Sequence, residues 1–295
     1  MSGIIVKGIG GFYYVETADG IFECKARGLF RLQELVPTVG DRCVISVSED
    51  GGSAVIDSIE PRRNIFVRPA VANLDKLFVV VAAVDPAPNM LVIDRVVAAA
   101  EYADVEPVIV LTKTDLAPCE QVREVYEKAG MKVIAVNYET GDGLDRVRAE
   151  LTDCFSAFAG NSGVGKSTLL NAVDPTLSQK TAGISRKLGR GRHTTREVEL
   201  FRLPFGGMIA DTPGFSSFDG ELGAVIEKDQ LQYCFREFGE HIGQCRFVSC
   251  AHLCEKGCSV IAALKAGKIA KSRHESYVTM YEEAKNVKPW ENKKK

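Results

Sequence analysis

Two short motifs in this chain stand in an order that restricts its fold more than any other feature. A glycine-rich loop, Gly160-Asn161-Ser162-Gly163-Val164-Gly165-Lys166-Ser167, follows rather than precedes Thr112-Lys113-Thr114-Asp115. The first has the pattern of a phosphate loop, in which backbone N–H groups and a lysine cradle phosphates. The second has the [NT]-K-x-D form of a guanine reader. In an ordinary GTPase the phosphate loop comes first. The inversion predicts a nucleotide-binding core whose chain has been circularly permuted.

The rest of the 295 residues divides into three stretches, which predict a multi-domain protein. Residues 1–68 carry short β-rich runs: Ile4–Val6, Gly11–Glu16, Ile21–Ala26, Cys43–Val47 and Ala54–Ile59. Asp19-Gly20 is a two-residue hairpin signal. Strands at this spacing predict a small barrel, an OB-fold, which is a common RNA-binding architecture. Residues 69–219 read as an α/β core. Leu77–Val84, Val108–Leu111 and Val133–Val136 are unbroken apolar runs, as in strands buried on both faces, and helical stretches Asp94–Tyr102 and Glu120–Ala129 separate them. Residues 220–295 read as mostly helical and cysteine-rich.

Composition excludes several classes. Net charge is −2, so nucleic-acid contact must come from local basic clusters rather than a global field. No apolar run reaches the length of a membrane span. The N-terminal residues lack the pattern of a secretory signal. A cytoplasmic protein with no membrane partner is expected.

The nucleotide site is expected to use both motifs and a third. Gly160 and Gly165 let the backbone wrap phosphates, with Asn161, Ser162, Gly163 and Val164 between them and Thr168 in the following helix turn. Lys166 should reach the β- and γ-phosphates, and Ser167 should place its hydroxyl on Mg²⁺. Asp211-Thr212-Pro213-Gly214 follows an apolar run, so Asp211 should hold Mg²⁺ through water and the Gly214 N–H should touch the γ-phosphate. Asp115 should accept the paired donors of guanine, with Lys113 covering the base and Thr112 and Thr114 completing the reader. Between these motifs lies a loop whose residues 186–196 hold five Arg or Lys and no acid. It should act as a switch, with Thr195 (alternatively Thr194) on Mg²⁺ and the basic residues facing RNA. After Gly214, the place of the water-orienting Gln of Ras-like enzymes holds Phe215. Slow intrinsic hydrolysis follows. His193 either positions water once a partner is bound or simply contacts RNA. The catalytic candidates are therefore Lys166, His193 and Thr195.

Nine cysteines are present, five of them between Cys234 and Cys258. Cys245, Cys250, His252, Cys254 and Cys258 offer five ligands for a four-coordinate ion. Thiolates and imidazole suit Zn²⁺ in a closed structural site. The favoured set is Cys245, Cys250, His252 and Cys258, leaving Cys254 spare. Downstream, Val260, Ile261, Leu264 and Ile269 form an apolar stripe. Lys265, Lys268, Lys271, Arg273 and His274 form either a basic face or an ordinary solvated one.

Together these residues resemble the RsgA family, the YjeQ/YloQ-like circularly permuted GTPases of small ribosomal subunit biogenesis. The most specific segments are residues 160–171, 187–196, 211–215 and 245–258. The sequence departs from the family pattern at Cys254 and at Lys256, where a Pro is usual; neither removes a ligand. The family's weak guanine-contact motif falls at Asn137-Tyr138. The resemblance implies a factor that binds the 30S subunit and its rRNA late in maturation and hydrolyses GTP to GDP when the ribosome stimulates it. It carries one structural Zn²⁺ and uses Mg²⁺ with GTP or GDP. A monomer is expected. The permutation runs the switch after Gly214 directly into the C-terminal unit, so loss of the γ-phosphate is expected to move that unit relative to the barrel. Two alternatives fit fewer residues: a GTP-regulated factor acting on a non-ribosomal RNA, and a P-loop kinase, which the reader and Asp211-Thr212-Pro213-Gly214 disfavour.

Overall fold

The structure, a computed structural model, describes residues 1–32, 34–48, 54–175, 198–211 and 225–286. His193, Thr195 and Gly214 lie outside the described residues, as does the Asp211 side chain.

The N-terminal barrel follows from residues alternating between its inside and its outside. Strands β1 (Ser2–Ile9), β2 (Phe12–Thr17), β3 (Gly20–Ala26), β4 (Arg42–Val47) and β5 (Ala54–Ile59) pair in the order β1-β2-β3-β5-β4, and β4 returns to β1. That is the closed five-stranded OB topology. Ile5, Val15, Cys24, Cys43, Ile45 and Ile56 fill the interior. Gly10 and Gly11, both at positive φ, make the β1–β2 hairpin, with Ile9 opposite Phe12. The Asp19-Gly20 signal marks a real hairpin, shifted by one position: Ala18-Asp19 form the loop, and Gly20 already pairs with Thr17. The shift arises because the Thr17 hydroxyl accepts from the Asp19 N–H and donates to the Gly20 carbonyl.

The central core is a parallel sheet. Its elements in chain order are β8 (Lys76–Ala82), α2 (Met90–Tyr102), β9 (Glu106–Thr112), α3 (Glu120–Lys128), β10 (Lys132–Ala135), α4 (Leu144–Leu151), β11 (Phe155–Ala159), α5 (Lys166–Val173), β12 (Glu199–Arg202) and β13 (Met208–Asp211). A short helix α1 (Leu29–Leu32) and a two-stranded pair, β6 (Ile65–Phe66) and β7 (Val71–Ala72), precede them. The strands run β10-β9-β8-β11-β13-β12, all parallel except β12, which is antiparallel to β13. Strand β8 explains why its run is unbroken. Leu77, Val79 and Val81 join Ile93, Val96 and Tyr126 of α2 and α3 on one face. Phe78, Val80 and Ala82 join Val147, Leu151, Leu169 and Val173 of α4 and α5 on the other. The permutation is visible in the pairing of β8 with β11, Ala157 opposite Leu77, although β9, α3 and β10 intervene in the chain. Helix α2 begins at Met90, ahead of the expected Asp94, because the Asn89 side chain caps it by accepting from the Val92 N–H. Gly130, at positive φ, ends α3.

Barrel and core share one continuous sheet. Strand β1 pairs antiparallel with β12, Lys7 opposite Glu199, and the pair is reinforced by a 3.1 Å ion pair between those side chains. The C-terminal unit contains α6 (Lys228–Leu231), two short 3₁₀ turns, α7 (Ser259–Lys265) and α8 (Lys271–Asn286). Its core of Leu231, Phe235, Phe238, Val260 and Tyr277 includes Ala98 from α2. Arg273 and His274 correct the expected basic face. Arg273 is fully buried and bonds Asp94 of α2 at 2.8 Å and Glu237 at 2.7 Å; His274 is buried against the His252 carbonyl. Only Lys265, Lys268 and Lys271 of that group are exposed. Among the described residues no helix is long and apolar enough to cross a membrane.

Candidate nucleotide site and metal centre

Both sequence motifs come to the carboxyl ends of neighbouring strands, where open α/β sheets bind ligands. The phosphate loop leaves β11 and enters α5. Gly163 and Gly165 take positive φ, and Gly165 is the residue before the first helical turn. A Cβ on Gly160 would stand 2.7 Å from the Val80 carbonyl, so the loop can turn there only with glycine. Ser162 on this loop and Ser167 and Thr168 in the first turn of α5 are exposed, and Val164 is buried in the loop.

Lys166 turns back over the loop. Its Nζ donates to the carbonyls of Gly160 and, at 2.9 Å, Asn161; among the described residues no carboxylate is a partner. Burial lowers its pKa from the ordinary 10.5 to about 8. A half-buried ammonium whose partners among the described residues are carbonyls, at the mouth of a glycine loop, suits an incoming polyanion.

Thr112, at the end of β9, is fully buried and joins the two motifs. Its hydroxyl donates to the Val164 carbonyl inside the phosphate loop at 2.6 Å, and it lies 3.4 Å from the Val81 carbonyl. Thr114 donates to the Val136 carbonyl at 2.9 Å, which ties the reader to β10. Lys113, in the left-handed region, donates to the Asp85 carbonyl in the β8–α2 loop. Asp115 Oδ1 is buried with no hydrogen-bond partner among the described residues, and so is the Tyr138 hydroxyl. An orphaned carboxylate oxygen is what a guanine donor pair would satisfy. Asn137 caps its own turn, accepting from the N–H groups of Glu139 and Thr140 at 2.9 and 3.0 Å. The Tyr138 hydroxyl lies 3.7 Å from where a Cβ on Gly165 would stand. Asp211 ends β13 opposite Glu199, and β13 lies beside β11.

The cysteine-rich loop gathers its donors. Cys245, Cys250, His252 and Cys258 place one ligand atom each within 4.8 Å of one another, so the four could hold a metal ion, while Cys254 is exposed and apart. His252 Nδ1 lies 3.6 Å from Cys245 Sγ and 3.4 Å from Cys258 Sγ. Its Nε2 faces Gln232 Oε1 at 3.0 Å, which holds the proton there and leaves Nδ1 free to ligate. Gln232 is the participant that sequence reasoning missed; it lies outside the Cys/His cluster and carries no ligand pattern. Burial keeps the imidazole below its usual pKa and hence neutral. The Ser259 and Ile261 N–H groups point at Cys245 and Cys258 sulfurs at 3.4 and 3.5 Å, so the start of α7 supports thiolate charge.

Comparison with known proteins agrees with this geometry. The sequence matches the family described as RsgA GTPase over residues 59–221 and the RsgA N-terminal domain over residues 2–56. It is 44% identical over 286 residues to the small ribosomal subunit biogenesis GTPase RsgA of Moorella thermoacetica, covering 96% of this chain and 97% of that protein. The protein of the same description from Caldanaerobacter subterraneus is 42% identical, covering 97% and 96%. Among solved structures, YjeQ from Thermotoga maritima superposes with TM-score 0.80 at 35% identity over 97% of this chain and 99% of that one. YloQ, described as a circularly permuted GTPase, superposes with TM-score 0.77 at 34% identity over 98% and 96%. With a phosphate loop and guanine reader joined in permuted order behind a five-stranded barrel, the chain belongs to the RsgA GTPase family.

Proposed function

We propose that this protein is a GTP-hydrolysing factor that binds the maturing 30S ribosomal subunit and its rRNA and leaves after turnover. The observation that carries the reading is the Thr112–Val164 hydrogen bond, which fuses the guanine reader to the phosphate loop across a permuted chain. The relatives are named for small-subunit biogenesis, and the barrel is of a kind that binds RNA.

In this reading the backbone of Gly160–Gly165 and the Lys166 ammonium hold the phosphates, with Asn161, Ser162, Gly163, Val164 and Thr168 lining them. Lys166 exchanges its carbonyl partners for phosphate oxygens. Asp115 accepts from guanine, and Lys113 lies over the base. Mg²⁺, bound with the nucleotide, would be held by Ser167, Asp211 and Thr195 and would offset phosphate charge. Gly214 would contact the γ-phosphate. Water adds to the γ-phosphorus as the bond to the bridging oxygen breaks, giving GDP and phosphate. Phe215 cannot orient that water, so His193 or a group on the ribosome must.

The Cys₃His set suits a structural Zn²⁺, with no open position for chemistry. The units divide at about residues 68 and 219 in this reading, and the protein works as a cytoplasmic monomer. GTP turnover measured with and without purified 30S particles tests the proposal. Wild-type rates should rise severalfold or more on adding 30S, and Lys166→Ala should abolish both rates. Equal rates with and without 30S would favour a different RNA partner.

A further inference from the structure

Away from the nucleotide site, the joint between barrel and core holds a cleft of about 430 Å³. Small-ligand sites span roughly 300–1,000 Å³. Two cross-strand rows form its walls. On the barrel side, Ile4 of β1 stands between Glu16 of β2 and Arg42 of β4. On the core side, Met208 of β13 stands between Phe155 of β11 and Arg202 of β12. Residues opposite one another on neighbouring strands share a face, so each row presents its side chains together. The rows meet at a corner, where Arg202 Nε bonds both Glu16 carboxylate oxygens at 2.9 Å. Phe155 and Met208 begin β11 and β13, whereas the phosphate loop and Asp211 lie at the other ends of those strands.

The charges lining the cleft are unequally spent. Arg63, at the linker edge, pairs with Asp75 at 2.7 Å and donates to the Leu74 carbonyl at 2.8 Å. Asp75 also accepts from the Phe155 N–H at 2.6 Å. Arg42 and Asp153 have no side-chain hydrogen bond or ion pair among the described residues. Asp153 Oδ1 stands 2.4 Å from where a Cβ on Gly206 would be, so glycine in the β12–β13 turn, at positive φ, leaves the carboxylate its place.

An unspent guanidinium and an unspent carboxylate are thus separated by an apolar floor of Ile4, Met208 and Phe155. The matching ligand carries an anion at one end, a flat apolar body, and an amine at the other. A nucleotide has all three. An amino acid holds its two charges on one carbon, whereas this floor draws on three strands. The lining has no lysine and no helix N-terminus, which suits one phosphate rather than three. We infer that this cleft is a second nucleotide site, taking a free nucleoside monophosphate with its phosphate on the Arg42 guanidinium and an amine of its base on the Asp153 carboxylate.

Equilibrium dialysis of labelled AMP against the full chain saturated with GDP is the test, because GDP keeps AMP out of the phosphate loop. About one equivalent of AMP should bind, with Kd at or below the order of 1 mM. UMP, whose base has no amine, should bind severalfold more weakly. Arg42→Met should weaken AMP by on the order of tenfold or more, the loss of a charge-assisted contact, while GDP affinity stays at the wild-type value and reports an intact fold. Arg42→Lys keeps the charge and should lose less. No AMP bound at about 1 mM, or equal binding by wild type and Arg42→Met, overturns the inference. Hexaadenylate displacing AMP with affinity higher by about tenfold would place a nucleotide of an RNA strand in the cleft and overturn the assignment to a free nucleotide.

Discussion

Lys166 shows what a binding residue costs a fold when its ligand is away. Its ammonium is half-buried and its partners are carbonyls, so folding moves its pKa down from 10.5 to about 8. The folded state thus binds fewer protons than the unfolded chain between those values, and nucleotide-free stability rises with pH across that window. The penalty is complete below about pH 8 and fades toward pH 10.5. Lys166→Met should therefore raise the nucleotide-free melting temperature at pH 7 by on the order of 2–4 °C for each kcal/mol recovered. The gain should shrink steadily above pH 8. Melting curves from pH 7 to 10 read this directly, and a gain independent of pH would exclude burial of the charge as its cause. Saturating GDP should reverse the order of the two proteins, because phosphate charge stabilises only the lysine form.

At the scale of elements, the cysteine-rich loop depends on a neighbour outside itself. His252 has positive φ and is held from three sides: by Gln232 at Nε2, by His274 at its carbonyl, and by the ring of Phe238 in an edge-on contact. Gln232 belongs to the 3₁₀ turn Gln232–Cys234, whose placement comes from Phe235 and Leu231 packing in the same core. At the zinc site proposed above, Gln232→Ala should lower Zn²⁺ affinity by about 10- to 100-fold, the usual effect of losing a group that orients a ligand. Gln232→Glu keeps an acceptor and should bind near wild type. Competition against a chromophoric chelator measures both. Equal affinity in the Ala variant would mean that backbone geometry alone orients the ring. Helix α2 shows the same dependence in another form: its first turn is set by the Asn89 cap, and its middle carries Asp94 into contact with another unit.

Across the whole molecule, that contact governs how the units sit. Arg273 reaches from α8 to Asp94 and Glu237, lies 4.4 Å over the Phe235 ring, and Tyr126 of α3 donates to Asp94 at 2.9 Å. The neighbouring carboxylates outweigh burial and hold the Arg273 guanidinium charged. Arg236 adds ion pairs to Glu101 and Glu106, and Arg95 one to Glu283. The C-terminal unit is thereby fastened to α2, whose preceding loop also touches the nucleotide site through Lys113 and Asp85. A displacement of that unit on loss of the γ-phosphate would have to carry α2 with it or break these buried pairs. Removing one partner of a buried pair strands the other charge. Arg273→Met should cost about 3–5 kcal/mol in urea denaturation, against well under 1 kcal/mol for breaking the exposed Arg95–Glu283 pair. Similar losses for the two variants would show that the buried network does not hold the interface.

Much of this was legible in residue order. Glycine at 160 and 165, the lysine after it, and an aspartate two places beyond Lys113 are chemical requirements for phosphate and guanine that no other residues meet as well. The apolar runs of β8 and β9 declared strands buried on both sides, because each alternate residue needs its own core. What stayed hidden depended on pairings between residues far apart in the chain. Nothing near Arg273 distinguishes a buried cation from the solvated lysines before it; Asp94, 179 positions away, makes the difference. The join of β1 to β12 and the Gln232–His252 contact are likewise invisible along the chain. Local chemistry is written in short segments because a motif carries its own backbone and charges. Partnership between distant side chains exists only once the backbone has brought them together, and there burial determines which charges must be paired.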